Sequence, residues 1–170
     1  DNAITQFEQS AALDPEYDWA WRMFKERAAQ EGRPNAAIEL ARRLAAQRPG
    51  ELRTWIAVAR VADEPEEKLA ALDRAIALSP LALDANERKL DLLIELERYD
   101  EALALVDATA WGEQAPIVLR AKACRILAAR GDTPAAIARM DKVLAAEPNH
   151  HPGWELLADW HSAREDWPAY

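Results

Sequence analysis

The chain has one cysteine, Cys124, among 170 residues, so no internal disulfide framework holds it together. Glycine is scarce at five residues, and phenylalanine and tyrosine number only two and three. Strand-forming residues are in short supply, which turns the expectation away from sheets. No apolar run reaches the roughly 18 residues that a membrane-spanning helix needs, and no basic-then-apolar signal segment opens the chain. Positive charge is in deficit as well: 21 Lys and Arg face 30 Asp and Glu, for a net charge of -9. Such a surface is a poor match for a nucleic-acid backbone, whose phosphates require clustered cations. Its partners, where charge matters, are expected to be neutral or basic. A Gly-rich phosphate loop and a Gly-x-Ser-x-Gly elbow are both missing, and paired carboxylates on so acidic a surface carry no acid–base signal. The chain is therefore read as a non-enzyme without a cofactor.

What the chain does have is Ala, Leu, Arg and Glu, the composition of helices. Half of its residues are hydrophobic, enough at this length to bury a substantial core. Arg greatly outnumbers Lys, which points to a GC-rich bacterial source. The prolines set a period. Pro15, Pro49, Pro80 and Pro148 each follow an apolar, Ala-rich stretch, where proline stops a helix and forces the preceding residue out of the α region. Pro15 to Pro49 is 34 positions, Pro49 to Pro80 is 31, and Pro80 to Pro148 is twice 34, with Gln114 at the midpoint. Six residues after Pro15, Pro49 and Pro148 stands a tryptophan: Trp21, Trp55 and Trp154. Twelve and eight residues before each stop stand Ala3 and Phe7, Ala37 and Ala41, Lys68 and Leu72, Ala102 and Val106, and Ala136 and Met140.

A unit with an early Trp, a Gly turn, a small residue, an apolar one and then Pro resembles the tetratricopeptide repeat. The pattern runs Trp21, Phe24, Gly32, Ala37, Ala41, Pro49, then Trp55, Val58, Ala59, Lys68, Leu72, Pro80. It continues through Asn86, Leu90, Leu93, Tyr99, Ala102 and Val106, then Cys124, Leu127, Gly131, Ala136, Met140 and Pro148, and ends on Trp154, Leu157 and Ala158. The match extends from Ala3 to Trp167. Asn86 and Arg120 replace Trp in two units, where looser packing is expected. The unit between Trp55 and Pro80 is three residues short, with Asp63-Glu64-Pro65 in place of its Gly turn.

The resemblance implies an all-α fold, a right-handed superhelix (α-solenoid) of antiparallel helix pairs forming a single array over residues 1–170. Its units read 1–17 (a second helix only), 18–51, 52–82, 83–116, 117–150 and 151–170 (partial). Both ends then fall inside repeats, so Phe7, Leu13, Leu156, Trp160 and Trp167 face missing neighbours, as in a fragment of a longer protein. Trp21, Trp55 and Trp154 are read as core residues between paired helices.

The resemblance also implies that first helices line a concave groove that binds a protein or peptide. In this register the groove residues are Trp19, Arg22 and Glu26; Arg53, Ile56 and Arg60; Asp84, Glu87 and Asp91; Arg125; and Glu155 and Asp159. Arg22, Arg53 and Arg60 make one part basic, and Asp84, Glu87, Asp91 and Glu95 make the next acidic. Family members that clamp a chaperone's terminal carboxylate use Lys and Asn; Arg22 with Glu26, Ala57, and Asp84 with Arg88 stand at those places and do not suit that ligand. The function expected is a protein-interaction scaffold, the alternative an accessory domain of a larger enzyme. Self-association through open repeat ends is a third expectation, and the compartment is read as cytoplasmic, with the periplasm left open. His151, Glu155 and Asp159 share a helical face at steps of four, yet no further ligand cluster supports a metal. Cys124 takes a small-residue slot and is read as a buried, inert thiol.

Overall fold

The computed structural model describes residues 2–108, 110–111 and 115–164, and among these every regular element is an α-helix. Trp167 lies outside the described residues. The chain forms two compact units, Asp1–Leu92 and Leu93–Tyr170. In the first are α1 (Asn2–Leu13), α2 (Asp18–Gln30), α3 (Ala36–Gln47), α4 (Leu52–Val61), α5 (Pro65–Leu78) and most of α6 (Leu83–Glu95). The second holds the end of α6, then α7 (Tyr99–Asp107), α8 (Ile117–Ala129), α9 (Thr133–Ala146) and α10 (His151–Arg164). In the first unit α2 packs on α1 and α3, and α4 packs on α3 and α5. In the second, α8 packs on α7 and α9, and α9 on α10.

Helix ends follow local chemistry. Helices α1, α3, α5 and α9 each stop two residues before a proline of the repeat. Pro65 and Pro134 open α5 and α9, where a missing N–H costs nothing, and the Asp132 carboxylate caps α9 by accepting from the Ala135 N–H at 3.1 Å. Helices α2, α6 and α8 end in one shared turn. In it the N–H of Arg33, Arg98 or Asp132 reaches back to the carbonyl of Ala28, Leu93 or Leu127, at 2.7, 2.8 and 2.9 Å. The turn needs a left-handed residue before that donor. Gly32 (φ 77°) and Gly131 (φ 87°) supply it without cost, whereas at the middle turn Glu97 is forced to φ 56°.

The repeated tryptophans are joined to the repeated prolines by hydrogen bonds. The Nε1–H of Trp21 donates to the Pro15 carbonyl (3.1 Å), that of Trp55 to Pro49 (2.9 Å) and that of Trp154 to Pro148 (2.8 Å). A carbonyl ahead of a helix start lacks an intrahelical donor, and each indole satisfies one. Asn86, in the slot where packing was expected to loosen, does the same: its Nδ2 donates to Pro80 (3.1 Å) and also to Ala82 (2.9 Å). With only 2% of its surface exposed, Asn86 is among the most buried polar residues, so the substitution keeps the bond and closes the packing. The indoles differ in burial. Trp21 is 0% exposed and Trp154 is 41% exposed, while Trp55 is half-buried. Trp154 thus does not sit in the core as expected.

The first core gathers Ile4, Trp21, Phe24, Leu40, Ala41, Ile56, Val58 and Leu72, with Phe7 packed against its edge. The second holds Cys124, Met140, Val143, Leu144 and Leu157, with Leu156 and Trp160 at its margin. Of the described residues expected to face missing neighbours, only Leu13 is left bare, at 84% exposure. Ion pairs link second helices in each unit: Glu8 with Arg43 and Glu67 with Arg42 in the first, and Asp107 with Arg139 in the second.

Candidate binding surface

Helix α2 presents Trp19, Arg22 and Glu26 to solvent along one face, at spacings of three and four. Trp19 is 44% exposed, yet it is braced on two sides. Phe7 of α1 meets it edge-on with ring centres 5.4 Å apart, and Tyr17, just ahead of the helix, lies 5.9 Å away at a tilt. Among the described residues Trp19 is thus an indole held in place with nearly half of its surface open. Tyr17 was missed in the sequence because it precedes α2 and so falls outside helical periodicity.

Helix α4 departs from expectation at two of its three positions. Arg53 is exposed and lines a cleft with Leu13, Pro15, Glu16 and Glu51. Ile56, expected on the groove, is 2% exposed and belongs to the first core, since α2, α3 and α5 all pack on α4 and bury every residue from Ile56 to Ala59. Arg60 is bound internally: its guanidinium donates to the Pro15 carbonyl at 3.0 Å, and its Nε lies 2.7 Å from the Asp18 carboxylate. That Nε contact is close in distance but poorly aligned, so it counts as an ion pair and not as a hydrogen bond. Burial, then the nearby Arg88, pull Arg60 below its ordinary pKa against the pull of Asp18. With a side chain only 11% exposed, Arg60 fastens α4 to the turn before α2 and offers no free charge.

The acidic stretch on α6 is partly neutralised. Asp84 pairs with Arg88 one turn on, at 2.8 Å, and neither Glu87 nor Asp91 is free of interactions. Between α2 and the α4–α5 turn, Lys25 donates to the Val61 carbonyl (3.0 Å) and to Asp63 (2.6 Å), holding the Asp63 carboxyl below its ordinary pKa. In the second unit Arg125, Glu155 and Asp159 are exposed. Among the described residues no group of three His, Cys, Asp or Glu could hold a metal ion, His151 included. Cys124 is fully buried, donates to the Arg120 carbonyl at 3.3 Å, and burial pushes its thiol up to about 11. At neutral pH it is a thiol, not a nucleophile.

Paired helices, a Gly-type turn after the first helix and a Trp-to-Pro clasp repeated along the chain select one fold. The structure of TTC0263, a thermophilic TPR protein from Thermus thermophilus, superposes with a TM-score of 0.55 at 19% identity, over 93% of this chain and 88% of that one. This chain has the tetratricopeptide-repeat fold. MamA of Desulfovibrio magneticus RS-1 is similar at a TM-score of 0.61 and 18% identity, over 89% of this chain and 87% of its own. YrrB, described as a TPR protein with an unusual peptide-binding site, matches at 0.58 and 13% identity over 94% and 84%. No protein-family model matches the chain, and no curated protein matches it. No helix among the described residues is long and apolar enough to cross a membrane.

Proposed function

We propose that the first unit binds a peptide segment of another protein along the outward faces of α2 and α4, as a scaffold and without catalysis. The observation that carries this reading is Trp19, 44% exposed, braced by Phe7 and Tyr17 and followed one turn on by the exposed Arg22. Aromatic and arginine side chains of this kind dominate the energetics of protein interfaces. A peptide ligand has a precedent in YrrB, a fold neighbour described as having a peptide-binding site. With Arg60 bound internally, the basic part of the surface rests on Arg22 and Arg53, which favours acidic residues where the peptide crosses α2 and α4. Arg125, Glu155 and Asp159 give the second unit outward charges of its own.

The test is selection of ligands from a random 16-mer peptide display library, followed by affinity measurement on variants. Trp19→Ala should weaken the selected peptides by about tenfold or more, the scale of one interface hot spot. Arg22→Glu with Arg53→Glu should weaken them and flatten the salt dependence. Peptides that bind all three proteins equally would place recognition elsewhere and end the proposal.

A further inference from the structure

A second recess lies in the first unit among α3, α4 and α5, and Trp19 and Arg22 take no part in it. Its origin is a matter of side-chain size. Ala45 and Ala46 of α3 and Ala70 and Ala71 of α5 line a gap of about 360 Å³ beside Trp55 and Val58 of α4. Larger residues at these four places would fill it. The consequence is visible in the indoles: Trp21 is sealed at 0% exposure, whereas Trp55, in the same phase of the repeat, stays half-buried. The gap is large enough for a bulky apolar side chain, and ligand pockets begin at roughly 300 Å³.

The charges at the rim are unequal. On one side Arg42 holds Glu67 through two parallel hydrogen bonds, at 2.7 and 2.8 Å, so this pair neutralises itself. The third charged residue, Arg74, is exposed and forms no ion pair among the described residues. The recess therefore carries a net positive rim on a chain whose overall charge is -9. An apolar floor under a lone cation is complementary to an apolar side chain next to a carboxylate.

We propose that this recess is a second docking site, which takes a segment of a partner protein with a bulky apolar residue flanked by acidic ones. The apolar side chain enters between the alanines and covers the indole of Trp55, and a neighbouring carboxylate pairs with Arg74. Anchors of this type gain most when they fill a pocket from which water is excluded.

The probe is a fluorescein-labelled peptide, Gly-Glu-Glu-Phe-Leu-Glu-Glu-Gly, compared by anisotropy on the whole chain with its counterpart carrying Lys for Glu. The acidic peptide should bind about tenfold tighter than the lysine form. Ala70→Phe, which fills the gap, and Arg74→Glu should each weaken it by about tenfold. Both positions are exposed, and unchanged helical circular dichroism would show that the fold is intact. Because the α2–α4 surface also favours acidic residues, the same comparisons are made on the Arg22→Glu, Arg53→Glu double variant, where the acidic preference that remains, and its loss with Ala70→Phe or Arg74→Glu, reports the recess alone. The proposal is overturned if the chain does not prefer the acidic peptide, or if Ala70→Phe and Arg74→Glu bind it unchanged. Loss of the acidic preference in the double variant, or a self-dimer in sedimentation that Ala70→Phe abolishes, would overturn it too.

Discussion

Trp21 and Trp55 offer a comparison in which one kind of interaction is shared. Both indoles donate to the carbonyl of the proline six residues before, at 3.1 and 2.9 Å, and both stand in the same compact unit. Truncation of either to Ala loses one indole donor to a proline carbonyl, worth about 1 kcal/mol net; the bond is buried at Trp21, where Arg60 still donates to Pro15, and exposed at Trp55. The larger difference is burial. Trp21 has no exposed surface, and a tryptophan buries roughly 150–250 Å². At about 25 cal/mol per Å² the transfer loss alone is near 4–6 kcal/mol, an upper bound that measured Trp→Ala changes bring to about 3–5. Trp55 already looks onto an open recess, so its truncation deepens that recess and leaves no sealed cavity. We expect Trp21→Ala to cost about 3–5 kcal/mol and Trp55→Ala about half of that. Urea unfolding followed by far-ultraviolet circular dichroism reads both, with the midpoint shift taken at constant m-value. Equal losses would mean that the clasp to proline, and not apolar burial, governs these positions, and the reasoning would fail.

Glu97 sits where the equivalent turns use Gly32 and Gly131, so Glu97→Gly should stabilise the chain by about 1 kcal/mol through relief of the left-handed strain; a lower melting temperature would contradict this. Asn86→Leu keeps most of the volume but leaves the Pro80 carbonyl without the side-chain donor, and should cost about 1–3 kcal/mol by chemical denaturation, where a gain would show the polar slot to be dispensable. Glu67 is held below its ordinary pKa by its hydrogen bonds to Arg42, so the folded state gains from the carboxylate above the unfolded value near 4.5. That gain fades as pH falls from about this value through the lower folded one, and Arg42→Gln should flatten this acid limb of the stability curve; a limb of unchanged slope would show that the exposed pair contributes nothing.

The helical repeat was legible because each of its marks has a local cause. Pro15, Pro49, Pro80 and Pro148 stop helices by covalent geometry, Gly32 and Gly131 take a backbone conformation that other residues resist, and Asp132 caps a helix from three residues away. The candidate surface was legible only in part. Spacing put Trp19, Arg22 and Arg53 outward, and they are exposed. The same spacing put Ile56 and Arg60 beside them, because periodicity assigns a face to a residue but does not say whether another helix covers that face. Asn86 shows the converse: replacement of an indole by an amide looked like a defect until the donor's geometry showed the same carbonyl being satisfied.

Residue identity and order alone thus determined that the chain is a series of short helices with a recurring clasp and turn, since those features act over a few residues. Which charges remain available was decided by tertiary packing. Arg60 folds back onto Pro15 and Asp18, 45 and 42 positions away, and the alanines of α3 and α5 meet only when those helices are brought together. Side-chain size and charge at such distances have no local signature, so the recess at Trp55 and the loss of Arg60 from the outer surface exist only in the folded chain.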